Sequence, residues 1–108
     1  MTDYYDRKGN PIPLQEWVDR MGIDDYWRVA KGELVDGSGA TVEVSTVWLG
    51  LNHGDRDHLH IFETMILGGR YDQDMVRYGT EAAALSGHRR VMAALADGRP
   101  PWWLEGQA

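Results

Sequence analysis

Apolar positions along this chain change period several times, and each change marks an element. Residues 4–12 hold no sustained period and read as a short extended arm, with Lys8-Gly9-Asn10-Pro11 as its turn. From Pro13 the spacing becomes helical. Leu14, Trp17, Val18 and Met21 recur at i, i+3, i+4 and i+7, Pro13 suits the start, and Gly22 suits the stop. Residues 26–35 and 41–49 then read as two strands joined by a hairpin turn, Asp36-Gly37-Ser38-Gly39. In the second of them Val42, Val44, Thr46 and Trp48 share one face, and Glu43, Ser45, Val47 and Leu49 share the other.

A third strand spans residues 59–67 and ends at Gly68-Gly69; residues 75–78 read as a short fourth. Thr80 caps a second helix, Glu81 favours its N-terminal dipole, and Gly98 with Pro100 stops it after about Ala96. Leu85, His88, Val91, Met92 and Leu95 form its apolar stripe. The expected fold is α+β: a small antiparallel sheet of three to four strands packed by a C-terminal helix, with a short N-terminal helix. Residues 1–98 form the domain and residues 99–108 a Pro/Trp tail. Trp102, Trp103 and Leu104 are a liability in water, and the expectation is that they dock on a neighbouring copy in a homodimer or larger assembly.

Composition narrows the function classes. With 108 residues the chain suits one domain with one core. The absence of cysteine excludes disulfides, thiolate nucleophiles and cysteine zinc sites. A net charge of −6 with scattered cations disfavours nucleic-acid binding. No apolar run reaches the ~20 residues of a membrane span, and the acidic opening lacks a signal-peptide pattern.

Candidate chemistry concentrates in residues 41–69. A polar loop carrying Asn52, His53, Asp55, Asp57, His58 and His60 lies between two apolar runs, and Glu63 sits between Phe62 and Thr64. A carboxylate in such a strand needs a partner, because an unpaired buried charge costs several kcal/mol or shifts its pKa. Glu63 reads either as a pocket carboxylate or as a structural group bonded to Arg28, Arg77, a Trp N–H or His88. His88, on an apolar helix stripe, reads as a bonded core histidine or as a catalyst. His58 and His60 have a workable spacing for metal ligands, yet the loop supplies no closed ligand set, so no bound metal or other cofactor is expected. There is no nucleophile elbow and no phosphate-loop spacing.

The runs VSTVWLGLNH, IFETMILGG and RYGTEAAALSGH, with the opening YYDRKGNPI, resemble the pattern of small uncharacterised proteins encoded by bacteriophages of actinobacteria. The resemblance covers about residues 4–92. It implies an accessory protein of the host cytoplasm, acting in host takeover or counter-defence. The combined expectation is a non-catalytic protein that binds a host protein or a small ligand through Asn52, His53, Asp55, His60, Glu63 and His88. The alternatives are a small acid–base or metal-assisted hydrolase and a minor virion component.

Overall fold

The computed structural model describes residues 3–104. Two strands, β1 (Tyr4–Tyr5) and β2 (Pro11–Ile12), make a small hairpin. Asp6 closes it, its Oδ1 accepting from the backbone N–H groups of Lys8 and Asn10. Helices α1 (Leu14–Met21) and α2 (Asp24–Trp27) follow. Then come β3 (Arg28–Val35), β4 (Thr41–Trp48), β5 (Phe62–Leu67) and β6 (Met75–Tyr78), which form one antiparallel sheet in sequence order. Helix α3 (Glu81–Ala96) packs on that sheet, and a single 3-10 turn spans Trp102–Leu104. The fold is therefore α+β, a four-stranded antiparallel sheet covered by a C-terminal helix.

The alternation read in β4 decides the layers. Val42, Val44, Thr46 and Trp48 are buried against α3, together with Phe62, Thr64 and Ile66 of β5. From α3 the buried side chains are Ala84, His88, Val91, Ala94 and Leu95, with the Gly87 backbone among them, and the Thr80 hydroxyl accepts from the Ala83 N–H as its N-cap. Leu85 and Met92 are half-buried at the margins of the stripe.

One end of the core is Val42, Val44, Ile66, Val91 and Leu95. The other centres on Trp48, 1% exposed, with Ile12, Ile61, Phe62, Tyr78 and Ala84 around it. The N-terminal segment covers Trp48: its Nε1 donates to the Tyr5 carbonyl at 2.9 Å, and the Tyr26 ring stands edge-on at 4.9 Å. Gly50, at φ +73°, lets the chain turn where a Cβ would collide with both Trp17 and Trp48.

Four features depart from the sequence pattern. Tyr26 and Trp27 belong to α2 and not to β3, because the Ile23 carbonyl accepts from both their N–H groups and the carboxylates of Asp24 and Asp25 suit a helix start. The third strand begins at Phe62; Leu59 to His60 belong to the preceding loop, although Ile61 already donates to the Tyr78 carbonyl. The α1 stripe is mostly bare: Leu14 is 55% exposed, Val18 48% and Met21 38%, while Trp17 turns inward, 4.8 Å from the Tyr4 ring, with its Nε1 on the Leu49 carbonyl.

The fourth departure is the tail. Pro101 is fully buried, Trp102 lies 6.2 Å from the Tyr78 ring under the Arg90 guanidinium, and Trp103 stacks edge-on against it. These rings cover the open flank of their own core. The rest of the tail, residues 105–108, lies outside the described residues.

Truncating the central ring tests this packing. Trp48→Ala is expected to destabilise the fold by about 3–5 kcal/mol, since it opens a cavity and leaves the Tyr5 carbonyl without its donor. A urea denaturation midpoint close to that of the wild-type chain would contradict it.

Candidate functional site

The sheet places a row of polar side chains inside its apolar layer. Thr46 of β4 and Thr64 of β5 are directly opposed in the ladder, so both hydroxyls meet on the α3 side. Their Oγ1 atoms are 2.5 Å apart. His88 comes down from α3 with its Nδ1 2.8 Å from Thr46 Oγ1. Tyr78 reaches in from β6 and its hydroxyl donates to Thr64 Oγ1 at 3.0 Å. Thr46 and Thr64 are fully buried, and His88 and Tyr78 are each 8% exposed.

Donor counting sets the direction of this chain. Tyr78 donates to Thr64, so Thr64 gives its proton to Thr46, and Thr46 gives its own to His88 Nδ1. The imidazole is then neutral, with its proton on Nε2, which faces Gly32 of β3. Burial pushes the His88 pKa below its ordinary value, and the neighbouring Arg89 charge adds to this. Burial also raises the Tyr78 pKa, opposed by the Thr64 hydrogen bond and by Arg90. All four groups are neutral at pH 7. Gly87 makes the arrangement possible, because a Cβ there would run into the Tyr78 hydroxyl and ring.

The candidate residues fall in three separate places. His88 lies on the α3 side of the sheet. Glu63 lies on the other side, where its Oε2 accepts from Arg77 Nε at 3.1 Å across the β5–β6 ladder. Of the partners considered for Glu63, Arg77 is the one found.

The remaining candidates lie on the loop beyond the sheet end. Asn52 Oδ1 accepts from the N–H groups of Gly54 and His60 at 2.9 and 2.8 Å, and its Nδ2 donates to the Asp55 carbonyl. Asp55 Oδ1 accepts from the N–H of Asp57 and of His58, and from His58 Nδ1. The His58 side-chain bond and these N–H bonds hold the Asp55 carboxyl below its ordinary pKa, against a smaller effect of desolvation. Asn52 and Asp55 thus act as staples of the loop. His53 and His60 are exposed and paired through their backbones. An open groove of 660 Å³ runs between this loop and the N-terminal arm, lined by Asp3, Tyr5, Pro11, Asn52, Gly54 and Asp55, with Arg56 at its rim.

Among the described residues, no carboxylate orients the His88 ring and no nucleophilic hydroxyl is presented to solvent beside it. The Ser45 side chain lies on the opposite face of the sheet. Among the described residues, no group of three or more His, Asp or Glu side chains is placed to hold a metal ion. Among the described residues, no helix is long and apolar enough to cross a membrane. Comparison with protein-family models, with curated proteins and with solved structures gives no match.

Sequence reasoning found His88 but not its convergence with Thr46 and Thr64, and it missed Tyr78. The period-2 alternation of β4 and β5 was the available signal, since it puts both threonines on the buried face.

Two measurements test the relay. The unfolded chain protonates His88 below about pH 6.5, whereas the folded chain resists until lower pH. Stability is therefore present above pH 6.5 and is lost as the pH falls toward the depressed folded value, at up to about 1.4 kcal/mol per unit. His88→Gln should flatten the change in urea midpoint between pH 7 and 5; Asp55, also depressed, acts only below its own ordinary range near pH 4. An unchanged slope would remove His88 as the cause. Gly87→Ala gains about 1 kcal/mol of helix propensity but forces Tyr78 aside, and a net loss of about 1–2 kcal/mol is expected. A more stable variant in thermal melts would contradict this packing.

Proposed function

We propose that this chain is a non-catalytic binding protein that docks a basic protein partner through its α1–α2 face. The observation that carries this reading is the bare stripe of α1. Leu14, Val18 and Met21, with Ile23 at 54% exposure beyond the helix end, form a run of anchors that the chain itself does not cover. Each such side chain contributes about 1.5–3 kcal/mol when fully buried. Anchors at i, i+4 and i+7 are the pattern by which a helix enters an apolar groove.

The charge around the stripe selects the partner. The α1–α2 segment carries Glu16, Asp19, Asp24 and Asp25, with Arg20 as its cation, already bonded to Glu16 at 2.9 Å; Asp24 and Asp25 follow the stripe, while Glu16 and Asp19 lie across the helix from it. A groove edged by Lys and Arg complements this charge, whereas anionic lipid or nucleic acid is repelled. The resemblance to actinobacteriophage proteins supports a host protein as the partner, engaged in the host cytoplasm for takeover or counter-defence. What weighs against a hydrolase is the dispersal of the histidines and Glu63 over three places.

The test compares retention from an actinobacterial lysate by immobilised wild-type chain, by Leu14→Glu/Val18→Glu, and by His53→Ala/His60→Ala. A basic protein should be retained by the first and third, fall about tenfold on the second, and elute as salt rises toward ~0.5 M. Equal retention by all three chains, or loss with the loop variant alone, would move the site away from α1.

A further inference from the structure

A second uncovered surface lies on the opposite side of the molecule. Helix α3 packs on the Thr46–Thr64 side of the sheet, and Tyr26 of α2, Trp17 of α1 and Trp102 of the 3-10 turn all meet residues of that same side or its end. The other face is crossed by no helix among the described residues. Its ladder rows run Arg28, Val47, Glu63 and Arg77; then Lys31, Ser45, Met65 and Met75; then Glu33, Glu43 and Leu67; then Val35 and Thr41. Val35 is 62% exposed, Met75 38% and Leu67 37%.

We infer that this sheet face is the interface of a two-fold homodimer, which packs as a four-layer α/β/β/α particle. The inference is independent of the α1 reading and concerns a different surface.

Charge separates the two surfaces. The chain carries a net charge of −6, and two copies repel wherever that excess is displayed. On the sheet face Arg28, Lys31 and Arg77 balance Glu33, Glu43 and Glu63, so the whole excess lies elsewhere. Two ion pairs are already closed within the face, Lys31–Glu43 at 3.0 Å and Arg77–Glu63 at 3.1 Å, so docking leaves neither charge of either pair alone. The α1–α2 segment, by contrast, carries Glu16, Asp19, Asp24 and Asp25 against Arg20, an acidic excess that repels its own copy.

Area points the same way. Strands of 8 residues, β3 and β4, set the length of the face. β5 and β6 are shorter, at 6 and 4 residues, so at about 3.4 Å per residue and about 4.8 Å per strand the footprint is about 420 Å². The accessible area of a corrugated face exceeds its footprint, which brings it to the lower end of standard interfaces.

The unpaired charges choose the axis. Arg28 and Glu33 stand toward opposite ends of β3. A two-fold axis running across the strands, through the row of Lys31, Ser45, Met65 and Met75, sets Arg28 of each copy against Glu33 of the other and packs the methionines on their own equivalents. An axis along the strands would set the unpaired Arg28 against Arg77 and lose the Arg28–Glu33 pairing; on the favoured axis Lys31 meets its own equivalent, each copy already closed on Glu43 at 3.0 Å.

Size exclusion with light scattering on the full chain tests this from about 1 to 100 µM, with circular dichroism to confirm that each variant folds. Wild type should dimerise in this range, Leu67→Lys/Met75→Lys should stay monomeric, and Leu14→Glu/Val18→Glu should still dimerise. Arg28→Glu and Glu33→Arg should each weaken association about tenfold, and an equimolar mixture of the two should recover it. A wild-type monomer at 100 µM, a dimer that survives in the folded Leu67/Met75 variant, or a mixture that does not recover would each overturn the inference.

Discussion

One helix has to cover a four-stranded sheet, and the rest of the architecture answers that shortage. Helix α3 has 16 residues and is therefore about 24 Å long and about 10 Å wide, against a sheet about 19 Å across. Its stripe seals the Val42, Val44 and Ile66 end, with Trp102 and Trp103 at the flank. At the Trp48 end α3 contributes its first turn, through Ala84, and leaves the rest of the ring to other segments. There the β1–β2 hairpin, Tyr26 and Trp17 supply the missing cover, which explains why so much aromatic surface sits in short, irregular segments. Among the described residues, no helix is left to cover the second face of the sheet.

The regular parts of the fold were legible because each obeys one period over many residues. The alternation of Val42, Val44, Thr46 and Trp48 named the buried face of β4, and the turn residues between Asp36 and Gly39 named the hairpin. Where one residue serves two demands the pattern fails. Leu14, Trp17, Val18 and Met21 have the spacing of a core-facing helix, yet the surface available to α1 is only wide enough for Trp17. Periodicity reports that a face is apolar; it does not report what the face meets.

The candidate site was legible in composition and not in arrangement. His88 stood out as a polar group on an apolar stripe, but its meeting with Thr46 and Thr64 depends on the β4–β5 register and on the rotation of α3, set by long-range packing. Glu63 stood out for the same reason and belongs to the opposite face, one residue along the strand from Thr64. The loop histidines drew attention by number, whereas the side chains that shape that loop are Asn52 and Asp55, through bonds to backbone that any sequence could supply.

The hydroxyl pair at the centre of the sheet also bears on how the chain finds its alignment. Apolar residues tolerate sliding: moving β5 by two positions along β4 keeps the same face buried and still sets aliphatic and aromatic groups against one another. Thr46 and Thr64 do not tolerate it. Such a slip would set each hydroxyl against Ile66, Val44, Phe62 or Trp48, inside a layer without water, at about 1–3 kcal/mol for every donor left unmatched. The two threonines therefore act as a key cut into an otherwise greasy seam, and they make one strand alignment unique among several that hydrophobicity alone would accept.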